Sequence, residues 1–253
     1  NLKDSFSIGT EVHSVHWNDN YIVVGGNPTG DNKQVQVYEF NTVTETISLL
    51  ENTQKDFNGI VHKVEWHPSG DYMSVVGTGS PDVQVYNFDG AICSEITDAQ
   101  ITYSHSTQTF FDVSPDGNYI AVAHYKTGEA GLDLIDVSNI SNGEAELIFC
   151  SGEFLYEPWY VSWSPNGQYV LTVVEQTPAS PGEPHIEIYE KVGNQLTKVA
   201  DYDLETSTPA GIGEVRETEW SPDGRYIAVS THTENAGLNV QLLTFNGGSI
   251  SLL

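Results

Sequence analysis

Five polar side chains recur at one place in a repeated phrase. His16, Glu65, Asp112, Ser162 and Glu219 each stand one residue before an anchor: Trp17, Trp66, Val113, Trp163 and Trp220. Two residues further back stand Ser14, Lys63, Phe110, Tyr160 and Glu217. Three carboxyls and an imidazole brought together have two chemistries open to them. They can hold a hard cation through oxygen ligands. They can also set two carboxyls about 5–10 Å apart across a glycosidic bond, one as acid and one as nucleophile or base. A plainer use is a solvated channel wall, with Lys63 pairing to Glu65 or Glu217.

Other chemistry finds little purchase. There is no Gly-rich phosphate loop, no G-x-S-x-G elbow, no cysteine pair at metal spacing and no H-E-x-x-H. "DVSPDG" is acidic and contains glycine, but lacks the ligand spacing and closing Glu of a calcium loop. His13 and His16 lie three apart on a strand, so alternation puts them on opposite faces and excludes a simple ligand pair. We expect no catalytic residues, no metal and no cofactor.

What must position these side chains is a repeat. "WSPDGRYIAV" at 220–229 is echoed by "WSPNGQYVLTV", "VSPDGNYIAV", "WHPSGDYMSVV" and the shortened "WNDNYIVV". The anchors are 49, 47, 50 and 57 residues apart. Each unit holds four strand-like runs, the third reading "VQVYEF", "VQVYNF", "LDLIDV", "HIEIYE" or "NVQLLTF". β-Branched and aromatic residues dominate, several runs alternate with period two, and helical periodicity is nearly missing. In Ser-Pro-Asp-Gly, Pro sets φ for the first corner, Asp bonds local backbone and Gly accepts positive φ, joining two antiparallel strands. Four-stranded units at about 50-residue period predict an all-β chain: a β-propeller of five antiparallel blades. The blades fall near 11–53, 60–99, 107–153, 158–205 and 214–253 of a single 1–253 domain. Both chain ends coincide with whole repeats, which favours a five-bladed ring over five blades of a longer, seven-bladed one.

The phrase VxWSPDGxYIAV…VQVY.F resembles the WD-repeat β-propellers and their bacterial relatives. Residues 113–139 also resemble the YVTN-type surface propellers. The resemblance covers nearly the whole chain and implies a fold rather than an activity. The family's Gly-His pair is missing before every first strand. Its closing Trp-Asp is replaced by Tyr38-Glu39, Tyr86-Asn87, Ile135-Asp136, Tyr189-Glu190 and Leu243-Thr244. The family's buried Asp-His-Ser/Thr-Trp hydrogen-bond network therefore does not carry over.

Composition narrows the partners. The chain of 253 residues has 9 Lys+Arg against 35 Asp+Glu, a formal charge of −26. That field repels phosphate backbones and anionic membranes, so no nucleic acid is expected. No apolar run is long enough to cross a bilayer, so no membrane insertion is expected. A secreted, cell-surface or salt-exposed setting suits such a surface better than the cytoplasm. Cys93 and Cys150 fall on outer strands of neighbouring repeats and read as free, half-buried thiols. The lone sequon at Asn139 is weak.

Short turns gather at one end of the strands, and long variable loops at the other. Loops on a rigid scaffold carry function, so the loop-rich face is the expected binding face. Its candidates are Phe57, Tyr103, His105, His124, Tyr125, Phe154, Tyr156, Trp159 and His232, aromatics and imidazoles suited to anchoring a partner or stacking on sugars. The expected function is a non-enzymatic binding or scaffold propeller engaging a protein or peptide. The alternatives are a lectin or glycosidase-like propeller taking a carbohydrate, a cation-binding channel, or a subunit of a surface assembly.

Overall fold

The computed structural model describes residues 5, 11–27, 33–103, 108–126, 129–150, 158–174, 184–204, 215–231 and 240–253. Their strands form five four-stranded sheets, each laid down in sequence order with antiparallel neighbours. The first sheet holds β1 (Glu11–Asn18), β2 (Tyr21–Asn27), β3 (Val35–Asn41) and β4 (Thr46–Leu49). The second holds β5 (Val61–Trp66), β6 (Tyr72–Gly77), β7 (Val83–Phe88) and β8 (Cys93–Glu95). The third holds β9 (Gln108–Val113), β10 (Tyr119–Lys126), β11 (Glu129–Asp136) and β12 (Glu146–Cys150). The fourth holds β13 (Pro158–Trp163), β14 (Tyr169–Val174), β15 (Ile186–Val192) and β16 (Gln195–Tyr202). The fifth holds β17 (Val215–Trp220), β18 (Tyr226–Thr231), β19 (Val240–Phe245) and β20 (Ile250–Leu252). Among the described residues, helix is confined to three single 3₁₀ turns. None of it is long and apolar enough to cross a membrane. Contacts divide the chain into two compact units, residues 1–110 with 137–145, and residues 111–136 with 146–253.

The repeated turn shows why its residues recur. The hydroxyls of Ser114, Ser164 and Ser221 donate to Asp116, Asn166 and Asp223 at 2.6, 2.7 and 2.6 Å. Each also accepts the N–H of the tyrosine opening the next strand, at 2.9 Å. Gly117, Gly167 and Gly224 close the corners at φ 73°, 67° and 69°, the left-handed region that a side chain disfavours. Each turn thus pairs its own polar groups and fixes the register of the hairpin.

Sheet stacks on sheet in a constant sense within each unit. In the first unit, Val64, Trp66, Met73, Val75, Tyr86 and Phe88 pack against Val23, Val35 and Val37 of the preceding sheet. In the second, Trp220, Ile227, Val229, Leu243 and Phe245 pack against Leu171, Val173, Ile186 and Ile188. The anchor face of one sheet meets the opposite face of the sheet before it. Trp66, Trp163 and Trp220 are 2%, 5% and 5% exposed. Trp17 is 53% exposed, since its face has no preceding sheet in its unit. On the fifth sheet, Val240 and Leu242 are likewise exposed.

Three of the third strands carry a buried hydrogen bond from a tyrosine to the residue two before it. Tyr38 donates to Gln36 at 2.6 Å, Tyr86 to Gln84, and Tyr189 to Glu187 at 2.6 Å. Burial first, then the Glu51 charge, pushes the Tyr38 hydroxyl up to about 12. It therefore stays a donor throughout the neutral range. In the fifth sheet Leu243 replaces the tyrosine, and the buried Gln241 amide has no partner among the described residues.

Candidate functional site

The first strand of each sheet holds one of the recurring polar residues. The structure gives several of them hydrogen-bonding work between neighbouring sheets. The N–H of Trp66 donates to His16 Nδ1 at 3.0 Å. The N–H of Trp163 donates to Asp112 Oδ2 at 2.7 Å, while its indole N–H reaches the Asp112 carbonyl at 3.1 Å. Ser14 accepts from the Val64 N–H at 3.1 Å. Lys63 Nζ lies 2.9 Å from Glu65 Oε2, and both side chains are mostly buried. Ser162 is 8% exposed, whereas Glu219 faces solvent. Such bonds satisfy backbone donors on the next sheet that no ladder partner reaches.

One expectation about this column fails for a definite reason. His13 and His16 do not point to opposite faces. Pairing slips between Val12 and Ser14, so His13 is the extra residue of a bulge. Its ring nitrogen lies 2.9 Å from the Val61 carbonyl, on the same neighbouring strand that His16 engages. Equivalent slips occur at Val61/Lys63, Pro158/Tyr160 and Val215/Glu217. Strict alternation therefore does not hold across these strands. Among the described residues no cluster of three His, Cys, Asp or Glu is placed to hold a metal.

The loop-face candidates divide. Phe57 is fully buried and joins the core of the first unit, so it offers no ring to a partner. It fits because Gly77 and Gly79 have no Cβ, which would lie 2.8 and 2.7 Å from the Phe57 ring edge. Neither His124 nor Tyr125 is in a loop: both sit in β10, where His124 Nε2 lies 3.3 Å from the buried Asp133 carboxylate. Tyr103 and Tyr125 are half-buried, and the Tyr103 N–H donates to Asp82 Oδ2 at 2.7 Å. His105, Phe154, Tyr156 and His232 lie outside the described residues, as does the side chain of Trp159. Cys93 is fully buried rather than half-buried, and burial pushes its thiol up to about 12.

A second place escaped sequence reasoning. At the turn end of the first unit, a cavity of about 280 Å³ opens between the first two sheets. Asp19, Tyr21, Trp66, Asp71, Phe88 and Asp89 line it. Tyr21 and Phe88 meet edge to face, centroids 4.8 Å apart. The repeated turns looked like scaffold because they are alike. Their departures from one another, "NDN" for "SPDG" and "FDG" after "VQVYN", are what shape this hollow.

These stacked four-stranded blades define a β-propeller, and the solved structures agree. The β-propeller domain of Cps50 (Swd1) from Myceliophteria thermophila matches with a TM-score of 0.66 and 13% identity, over 96% of this chain and 72% of that one. A Lactobacillus plantarum protein matches at 0.68 and 13%, over 96% and 70%. Hydrazine synthase from Kuenenia stuttgartiensis matches at 0.66 and 14%, over 92% of this chain and 64% of that one. At such identities the likeness is one of fold. No curated protein matches the chain in sequence. The chain belongs to the eIF2A family, described as eukaryotic translation initiation factor eIF2A, whose family model matches residues 9–206.

Proposed function

We propose that this propeller is a non-enzymatic binding module that engages a protein partner through its loop-rich end. The observation that carries the reading is the engagement of the innermost polar column. Asp112 holds the backbone of Trp163, His16 holds that of Trp66, and Glu65 is paired with Lys63. A general acid or nucleophile needs a carboxyl free to meet substrate, and Asp112 and Glu65, two of the column's three carboxyls, have structural partners instead. The eIF2A family description supports work in translation initiation, where partners are proteins or RNA. The charge of −26 favours protein, and one with a basic surface, over RNA. We also read the repeat as a divergent WD-type blade, in which tyrosine to glutamine or glutamate bonds replace the usual buried network.

The test is a comparison of ligand classes on the whole chain. Immobilised protein is exposed to purified translation initiation factors and to single-stranded RNA, and separately assayed against glycoside and lactone substrates. Saturable binding of a factor, weakened about ten-fold by Tyr103→Ala or Tyr125→Ala, supports the reading. Tighter binding of RNA than of any factor overturns it. So does a hydrolytic turnover that Asp112→Asn abolishes.

A further inference from the structure

We propose that the turn-end cavity of the first unit is a receptor for an arginine side chain presented by a partner protein. It lies at the opposite end of the strands from the loops, so this inference does not depend on the loop face being a binding surface.

The cavity joins three elements suited to a planar cation. Tyr21, half-buried, supplies the accessible aromatic wall, backed by the buried rings of Trp66 and Phe88. Asp19, Asp71 and Asp89 supply carboxyl groups, and all three residues are exposed at the rim. A guanidinium stacks on aromatic faces and bonds carboxylates in a fixed fork, which a compact ammonium does less well. Trp66 is 2% exposed, and its indole N–H has no hydrogen-bond partner among the described residues. Of the equivalent indoles, that of Trp163 has one, the Asp112 carbonyl, and that of Trp220 has none among the described residues.

The molecule supplies its own precedent. Tyr21 and Tyr119 are repeat equivalents, each opening the second strand of its blade; Phe88 and Lys191 are likewise equivalent, each on the third strand of the following blade. Between the third and fourth blades, Lys191 Nζ sits 3.7 Å from the centre of the Tyr119 ring. The Ser114 hydroxyl, then Asn118, hold the nearby Asp116 carboxyl below its usual range, and Lys191 adds the smallest share. A cation over this tyrosine, beside a turn aspartate, is thus already present in one seam. In the seam between the first and second blades, Phe88 replaces the lysine and the aspartates border open space. A cation from outside would complete the same arrangement.

The experiment uses the whole chain, labelled with ¹⁵N, and reads the Trp66 indole cross-peak, assigned by Trp66→Phe. The probes are Nα-acetyl-arginine amide and its uncharged isostere, Nα-acetyl-citrulline amide. The proposal expects the arginine probe to shift the Trp66 peak saturably at millimolar concentration, with the citrulline probe weaker by at least about five-fold. Asp71→Asn and Asp89→Asn each weaken it about two- to five-fold. Asparagine keeps the turn hydrogen bonds, and unchanged remaining cross-peaks confirm the fold. Asp98→Asn, an exposed charge on a 3₁₀ turn outside the cavity lining, leaves the affinity unchanged. No Trp66 shift with arginine, equal shifts with citrulline, or an equal loss in Asp98→Asn overturns the proposal. Loop-face variants such as Tyr103→Ala leave this signal intact, so failure of one site is not failure of the other.

Discussion

Trp17 and Trp66 occupy equivalent positions in the repeat and have opposite surroundings. That contrast gives a stability prediction with its own internal control. Trp66 is 2% exposed and packs with its ring centroid 5.1 Å from Phe88, among Val23, Val37, Met73 and Val75. Trp66→Ala removes a large buried side chain and leaves a cavity between two sheets that cannot easily close, so the expected cost is about 3–5 kcal/mol. Trp17 makes a similar aromatic contact, 5.4 Å from Phe40, but is 53% exposed. Roughly half its apolar surface stays in water in the fold, so Trp17→Ala is expected to cost about 1–2 kcal/mol. At this chain length, the difference corresponds to a melting shift of roughly 4–12 °C between the variants. Urea unfolding followed by far-UV circular dichroism measures it without relying on tryptophan emission. Trp220→Ala, 5% exposed in the second unit, should behave like Trp66→Ala. If Trp17→Ala costs as much as Trp66→Ala, the reasoning is refuted. The face of the first blade would then be covered in solution by something outside its own unit.

Three further outcomes follow from particular contacts. Asp112→Ala strands the Trp163 N–H, whose bond to the carboxylate is 2.7 Å, and should destabilise the chain by about 1.5–3 kcal/mol in denaturant titrations, with Asp112→Asn milder. The Ser221 hydroxyl, then Arg225, holds the Asp223 carboxyl at about 2, below its ordinary 3.8. A depressed carboxyl stabilises the fold above its unfolded value and loses that contribution as pH falls through the folded one, so Ser221→Ala should flatten the loss of stability between pH 3.8 and about 2. In a Cys150→Ser background, Cys93, with its thiol raised to about 12 by burial, should resist a disulfide reagent at pH 8 until denaturant opens the second blade, as followed by thiolate release.

The blades were legible because their causes are local. A serine that both donates to an aspartate and accepts a tyrosine N–H needs only six residues, and those residues stand together in "SPDGRY". The same holds for strand periodicity and for the sheet order. The column of polar residues was legible as a column, but its role was not. Whether Asp112 faces a channel or the backbone of Trp163 depends on how two sheets 51 residues apart are juxtaposed. No spacing rule states that. Bulges made matters worse, since one extra residue at His13 turns a side chain across the sheet and undoes the parity on which the His13 and His16 reading stood. Phe57 misled for a related reason. Its neighbours in sequence are polar, while the glycines that admit it, Gly77 and Gly79, lie some twenty residues downstream.

A repeated phrase is read as scaffold, and the eye moves to the loops that vary. Yet each repeat is a slightly imperfect copy, and an imperfect copy in a stacked architecture leaves a gap of defined shape at the seam. Where the third strand ends in lysine, the gap over Tyr119 is filled by the chain itself. Where it ends in "FDG", the ring of Phe88 sits against Tyr21 and aspartates border what remains. Substituting Lys191 by phenylalanine should therefore carry the second seam part of the way toward the first. It removes the cation over Tyr119, and the Asp116 carboxyl, held down first by Ser114 and Asn118 and least by Lys191, should titrate only slightly higher. An NMR pH titration of the Asp116 carboxyl carbon reads this directly. A fall in the Asp116 titration in Lys191→Phe would refute the placement of the lysine charge beside that carboxyl.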